Sequence, residues 1–173
     1  DHVLQIENEY YSLVRPKQVP RDGETPSEAL AKRGVGYAEL RAVDVNPYSP
    51  IGINEDTAAF LEVLALYCLL SESPDLLDHE QEMIEKNQTE VVNRGRAPNA
   101  MIQTLDKSYP IEDWAQLHVT AMQPLADLLN KTYSTHIYSQ AMRVMSKRID
   151  DVDETLSAQV IEDTLRQHGT WSF

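Results

Sequence analysis

The sequence contains one cysteine, Cys68, in 173 residues, so no disulfide can close within the chain. That usage fits a reducing, cytosolic setting. Long apolar runs are lacking as well. The longest, Val63 to Leu70, includes Tyr67, is followed by Ser71-Glu72-Ser73-Pro74, and is too short to span a bilayer. No signal-peptide pattern is visible. Basic residues are scarce, 15 Lys and Arg against 28 Asp and Glu, for a formal net charge of −13. This balance argues against a nucleic acid or an anionic membrane as the main partner. There is no Gly-rich phosphate loop, nucleophile elbow or dinucleotide fingerprint, and no internal repeat or low-complexity tract. The histidines (His2, His79, His118, His136 and His168) show no paired ligand spacing, which speaks against zinc. Cys68 sits in the apolar run Tyr67-Cys68-Leu69-Leu70 and reads as a buried, inert thiol.

Hydrophobic residues make up 42% of the chain, enough for one domain with a core. Leu4-Gln5-Ile6-Glu7-Asn8-Glu9-Tyr10-Tyr11 alternates at its start and reads as a strand, with Leu4 and Ile6 on one face and Gln5, Glu7, Glu9 and Tyr11 on the other. Arg15 to Gly23, with two prolines and a glycine, reads as a locally basic loop. Thr25-Pro26-Ser27-Glu28 opens a short helix: Thr25 is the N-cap, Pro26 suits the first helical position, and Glu28 completes a capping box. Gly34 and Gly36 end it. A second strand is expected over Val35 to Val45, stopped by Asn46-Pro47-Tyr48-Ser49-Pro50.

Beyond Gly52 the pattern turns helical. Asn54 or Asp56 caps a helix running to about Ser71 with a broad apolar stripe. A largely polar helix is expected over Asp78 to Arg94, ended by Gly95 and Pro98. Further helices are expected from Ile111 or Glu112 to Asn130, with a kink or break at Pro124, over Thr135 to Ile149, and over Asp153 to His168 with an acidic first turn. The fold class is therefore α+β. Two strands do not make a stable sheet alone, so neighbouring strands are expected upstream of Asp1. The expected division is 1–52, strands and loops of a sheet, and 53–173, a helical subdomain.

On the second strand, Tyr37, Glu39, Arg41 and Val43 share one face, and Ala38, Leu40 and Ala42 share the other. The apolar face should pack on helices. Glu39 and Arg41 then look into whatever the sheet's other face encloses, or form an exposed ion pair of little energetic weight. Together with Glu7 and Glu9 they offer hard oxygen ligands suited to Mg²⁺ and a guanidinium suited to phosphate, or simply a hydrated strand face.

The blocks Leu4 to Ser12 with Arg15-Pro16-Lys17, Tyr37-Ala38-Glu39-Leu40-Arg41 with Asp44, and Asn46-Pro47-Tyr48-Ser49-Pro50-Ile51-Gly52 resemble signatures of the proteobacterial glutamate–cysteine ligases. Asn93-Arg94-Gly95-Arg96-Ala97-Pro98 resembles a turn in the same family. The resemblance is specific from Leu4 to about Leu70 and loose over the helices. It implies part of a glutamine-synthetase-like antiparallel sheet, two of its strands being here, followed by a helical subdomain. It also implies ATP as co-substrate, Mg²⁺, glutamate and cysteine as substrates, and a γ-glutamyl phosphate intermediate. By the same resemblance Glu39 is a metal ligand, Arg41 contacts the transferred phosphate and Tyr11 helps form the cysteine pocket. Arg15 and Lys17 either approach the nucleotide or are solvated. The family's enzymes are much longer and carry most of their metal-binding carboxylates upstream. This chain is therefore expected to be a C-terminal portion, lacking the catalytic half that is its partner and inactive alone. The alternatives are another carboxylate–amine ligase of the same fold and a helical binding module without chemistry.

Overall fold

In the computed structural model, residues 12–168 are described. The chain forms two compact units, 1–45 and 46–173. The first contains strand β1 (Val14–Lys17), helix α1 (Pro26–Arg33) and strand β2 (Tyr37–Leu40). Helix α1 starts as expected. The Thr25 side chain accepts from the Glu28 N–H, and the Glu28 carboxylate accepts from the Thr25 N–H, which satisfies two amide donors reciprocally. Gly34 then leaves the helix at φ 73°, a conformation that costs a residue without a Cβ nothing.

The expected loop from Arg15 is corrected at its beginning. β1 pairs antiparallel with β2, placing Arg15 opposite Glu39, Pro16 opposite Ala38 and Lys17 opposite Tyr37. The Arg41 N–H donates to the Leu13 carbonyl at 2.8 Å. Hydrogen-bonded pairs therefore fall at the odd positions of β1, and Pro16 occupies a pair that needs no donor. The second strand is also shorter than expected, Tyr37–Leu40 rather than Val35 to Val45. The expected strand over residues 4–11 lies outside the described residues.

The second unit is mainly helical: α2 (Glu55–Leu70), α3 (Asp78–Arg94), α4 (Ile111–Tyr133), α5 (Ile137–Asp150) and α6 (Leu156–His168). Asn54 caps α2 by accepting from the Thr57 N–H, and Glu55 and Asp56 place negative charge at its positive end. Three helices build the core. Ala59 and Val63 of α2 meet Val119, Met122, Ala126 and Leu129 of α4 and Tyr138, Ala141 and Met142 of α5. The spacing in α4 is that of one helical face, and the small alanines let the helices approach closely. Tyr138 also donates to Glu62 at 2.8 Å, and Asn130 of α4 accepts from the Tyr138 N–H. Asn130 thus caps α5, whose own N-cap residue His136 makes no side-chain cap.

Several helical expectations change. α4 runs through Pro124 without a break; Pro124 is exposed, so water can reach the carbonyl it leaves without a donor. Asp153 and Glu154 lie in a separate 3₁₀ turn, Val152–Glu154, so α6 starts at Leu156 without an acidic first turn. Cys68 is exposed, because the apolar stripe of α2 is wider than the core that meets it; Leu69 and Leu70 are exposed beside it. An unexpected hairpin, β3 (Met101–Gln103) and β4 (Ser108–Pro110), joins α3 to α4, with Ile102 buried opposite Tyr109. The α+β class stands, with two two-stranded antiparallel sheets and six α-helices among the described residues. Among the described residues no helix is long and apolar enough to cross a membrane.

Candidate functional site

The register of β1 and β2 sorts the side chains of the first unit by type. Arg15, Lys17, Tyr37, Glu39 and Arg41 fall on one face; Val14, Pro16, Ala38 and Leu40 fall on the other. Among the described residues the apolar face is not packed on helices as expected: Val14, Ala38, Leu40 and Ala42 are exposed. The polar face carries three basic side chains around one carboxylate, a local reversal of the chain's acidic balance.

Glu39 is the centre of that face. Its Oε2 lies 3.4 Å from Lys17 Nζ across the hairpin, and its Oε1 lies 3.7 Å from Arg41 Nε along the strand. Oε2 is sealed from solvent and accepts no hydrogen bond, although the side chain as a whole is 39% exposed. Neither ion pair has the separation of a close hydrogen-bonded pair. An oxygen sealed from water without a hydrogen bond is costly unless a cation or donor completes it, and the Lys17 ammonium only partly does so.

Mg²⁺ takes hard oxygen ligands and is commonly held through one or two carboxylates plus phosphate and water. Glu39 fits as one such ligand. Among the described residues no group of three or more His, Cys, Asp or Glu could hold a metal ion, so they form no all-protein cage. Glu7, Glu9 and Tyr11, the other residues singled out from the sequence, lie outside the described residues. Lys17, which the sequence left open between nucleotide contact and solvation, is turned onto Glu39. The cross-strand pairing that brings it there was missed because Pro16 masked the strand.

The family model for glutamate–cysteine ligase matches residues 1–91. The chain belongs to the glutamate–cysteine ligase family. The glutamate–cysteine ligase of Alcanivorax borkumensis is 39% identical over 173 residues, which is 99% of this chain and 33% of the relative. That of Azotobacter vinelandii is 40% identical over 168 residues, 97% of this chain and 32% of the relative. The crystal structure of the Francisella tularensis glutamate–cysteine ligase in complex with AMP matches with a TM-score of 0.85 and 36% identity, covering 95% of this chain and 32% of that one. The chain thus spans about one third of the length of the ligases it matches.

Proposed function

We propose that this chain is the C-terminal portion of an ATP-dependent ligase that joins the γ-carboxylate of glutamate to the amine of cysteine, the first step of glutathione synthesis, in the cytoplasm. The observation that carries the reading is the charged face of the β1–β2 hairpin, where a carboxylate with one oxygen sealed from water sits between two cationic side chains. The family match and the AMP complex of a relative support it.

In this reading a γ-carboxylate oxygen of glutamate attacks the γ-phosphorus of ATP, and ADP leaves. The cysteine nitrogen then attacks the acyl carbon, phosphate leaves, and the amine gives up a proton. Arg41 binds the phosphoryl oxygens through its planar guanidinium, which stabilises charge on the transferred group with little reorganisation. Glu39 would supply one Mg²⁺ ligand, and the ion when bound would offset phosphate charge. Tyr11 donates a hydrogen bond to the cysteine carboxylate and presents its ring beside the thiol. Lys17, 3.4 Å from Glu39 Oε2, orients the Glu39 carboxylate. The remaining ligands would come from the upstream half, the partner this reading requires.

The test is to co-express this chain with an upstream half from a relative and measure cysteine-dependent phosphate release from ATP. Activity that is lost in Glu39→Gln and Arg41→Ala, with folding retained, supports the ligase. No activity in a well-folded complex refutes it and leaves a binding module. Faster turnover with another amine in place of cysteine would make it a different ligase of the same fold.

A further inference from the structure

The end of α3 and the turn that leaves it, Asn93-Arg94-Gly95-Arg96-Ala97-Pro98, play no part in the proposed chemistry, yet they are tightly specified. A Cβ on Gly95 would lie 2.5 Å from the Val91 carbonyl oxygen, closer than a side chain tolerates. Arg94 is committed to structure, donating to Asn99 at 2.7 Å and pairing with Glu90 at 3.4 Å. Arg96 is different: among the described residues it has no hydrogen bond or ion pair, and it lines a cavity of about 410 Å³ in the second unit.

That cavity lies where the turn meets the start of α4 and the end of α5. Its apolar lining includes Ala97, Ala100, Ile111, Ala115 and Ile149. Arg148 also lines it, half-buried, and among the described residues its one polar partner is the Met145 sulfur at 3.8 Å, a weak acceptor. Two guanidinium groups facing one cavity without an oxygen acceptor suit a carboxylate or phosphate. The acidic lining decides between them. Asp151 is occupied, accepting from the Asp153 N–H at 3.0 Å, but Glu112 and Asp150 also line the cavity and have no partner among the described residues. Two such carboxylates oppose a phosphate dianion and favour a ligand that also carries a cation. The volume lies within the range of small-molecule sites.

We propose that this cavity binds a zwitterion, a free amino acid or short peptide with an aliphatic body. Its carboxylate pairs with Arg96 and Arg148, its ammonium pairs with Glu112 and Asp150, and its side chain lies on the apolar lining. The site is built from residues of the second unit alone and does not depend on the ligase reading.

The test uses the intact protein, with L-leucine as probe and the amide resonances of Ala97, Ala115 and Ile149 as readout. Saturable shifts are expected with L-leucine. Leucinamide, which lacks the carboxylate, and 4-methylpentanoate, which lacks the ammonium, should each bind about tenfold or more weakly. Arg148→Met keeps the aliphatic stem and should weaken L-leucine by a similar factor; if that variant fails to fold, Arg96→Gln at the exposed rim gives the same comparison. Binding should survive Glu39→Gln, which separates this site from failure of the ligase reading. No saturable shift with L-leucine, equal binding of the two half-ligands, no loss in the arginine variants, or tighter binding of inorganic phosphate would each overturn the proposal.

Discussion

Lys17 Nζ lies 3.4 Å from Glu39 Oε2, an oxygen with neither solvent nor a hydrogen bond. The pair sits on a small hairpin and is part-exposed, so its weight in stability is about 0–1 kcal/mol. Glu39→Gln should therefore unfold at nearly the wild-type temperature. Catalysis should respond differently, because an amide is a poor Mg²⁺ ligand and cannot complement the surrounding positive charge. Phosphate release by the reconstituted ligase should fall by about 10²–10³-fold, the scale seen when one preorganised electrostatic contact is removed. Lys17→Met takes away the ammonium that competes for the same oxygen and should lower the Mg²⁺ concentration giving half-maximal rate. Wild-type turnover in Glu39→Gln would remove Glu39 from the site.

Helix packing in the second unit gives a prediction about stability alone. Met142 is 1% exposed and Met122 2%, and they lie on α5 and α4 in the shared core with Val63. Truncating a buried methionine removes transfer energy and leaves a cavity, about 2–5 kcal/mol in total. Methionine is flexible and its neighbours can partly close around the gap, so Met142→Ala should fall toward the lower end. Urea unfolding followed by far-UV circular dichroism reads the loss directly. An unchanged midpoint would show that α5 does not share a core with α2 and α4.

In the first unit, the fork of Arg33 grips Glu24. Nη1 donates to Oε1 at 3.0 Å and Nη2 to Oε2 at 2.7 Å, while the Arg21 N–H also donates to Oε2. The Arg33 hydrogen bonds, followed by the one from the backbone, lower the Glu24 pKa from 4.5 to about 2. A carboxylate depressed in the fold contributes stability that is fully present above its unfolded pKa and lost as pH falls through its folded one. The contribution of Glu24 should therefore fade between about pH 4.5 and pH 2. Glu24→Gln should flatten the acid side of the stability curve of this unit, as monitored by the amide resonances of α1. If the variant and the wild type lose stability in parallel over that window, the pair does not form in solution.

Local signals that need only neighbouring residues were legible from the sequence. The Thr25–Glu28 box and the Asn54 cap are examples, because side chain and backbone partners lie within three positions. What depended on distant partners was not. β1 contains Pro16, and only the register with Ala38 shows that no donor is needed there. The β3–β4 hairpin has strands of three residues, too short to display alternation. Cys68 followed an apolar pattern that does not reveal how much of the helix circumference a core covers. The Glu39–Arg41 face could be read from period two alone, whereas the place of Lys17 beside it required the pairing. The cavity at Arg96 and Arg148 could not be read at all, since its walls come from three separated segments.

His118 offers a pH test in the helical unit. Its Nδ1 lies 3.1 Å from the Tyr67 hydroxyl, and its ring meets Trp114 edge-on at 4.3 Å between centroids. Burial holds its pKa below the ordinary histidine value of 6.5, so the fold favours the neutral ring. The unfolded chain takes up that proton more readily, so the stability due to His118 is fully present above 6.5 and declines as pH drops below it. Among single substitutions, His118→Gln keeps a polar group near Tyr67 without titrating in this range. Its stability should vary less than the wild type's between about pH 7 and pH 5, measured by urea unfolding at matched ionic strength. The tyrosine contact adds a second readout, because protonation removes the acceptor on the ring and should shift the Tyr67 resonances over the same interval. If Tyr67 responds at the ordinary histidine pKa, and wild type and His118→Gln vary in parallel between about pH 7 and pH 5, the ring is not held neutral by its surroundings.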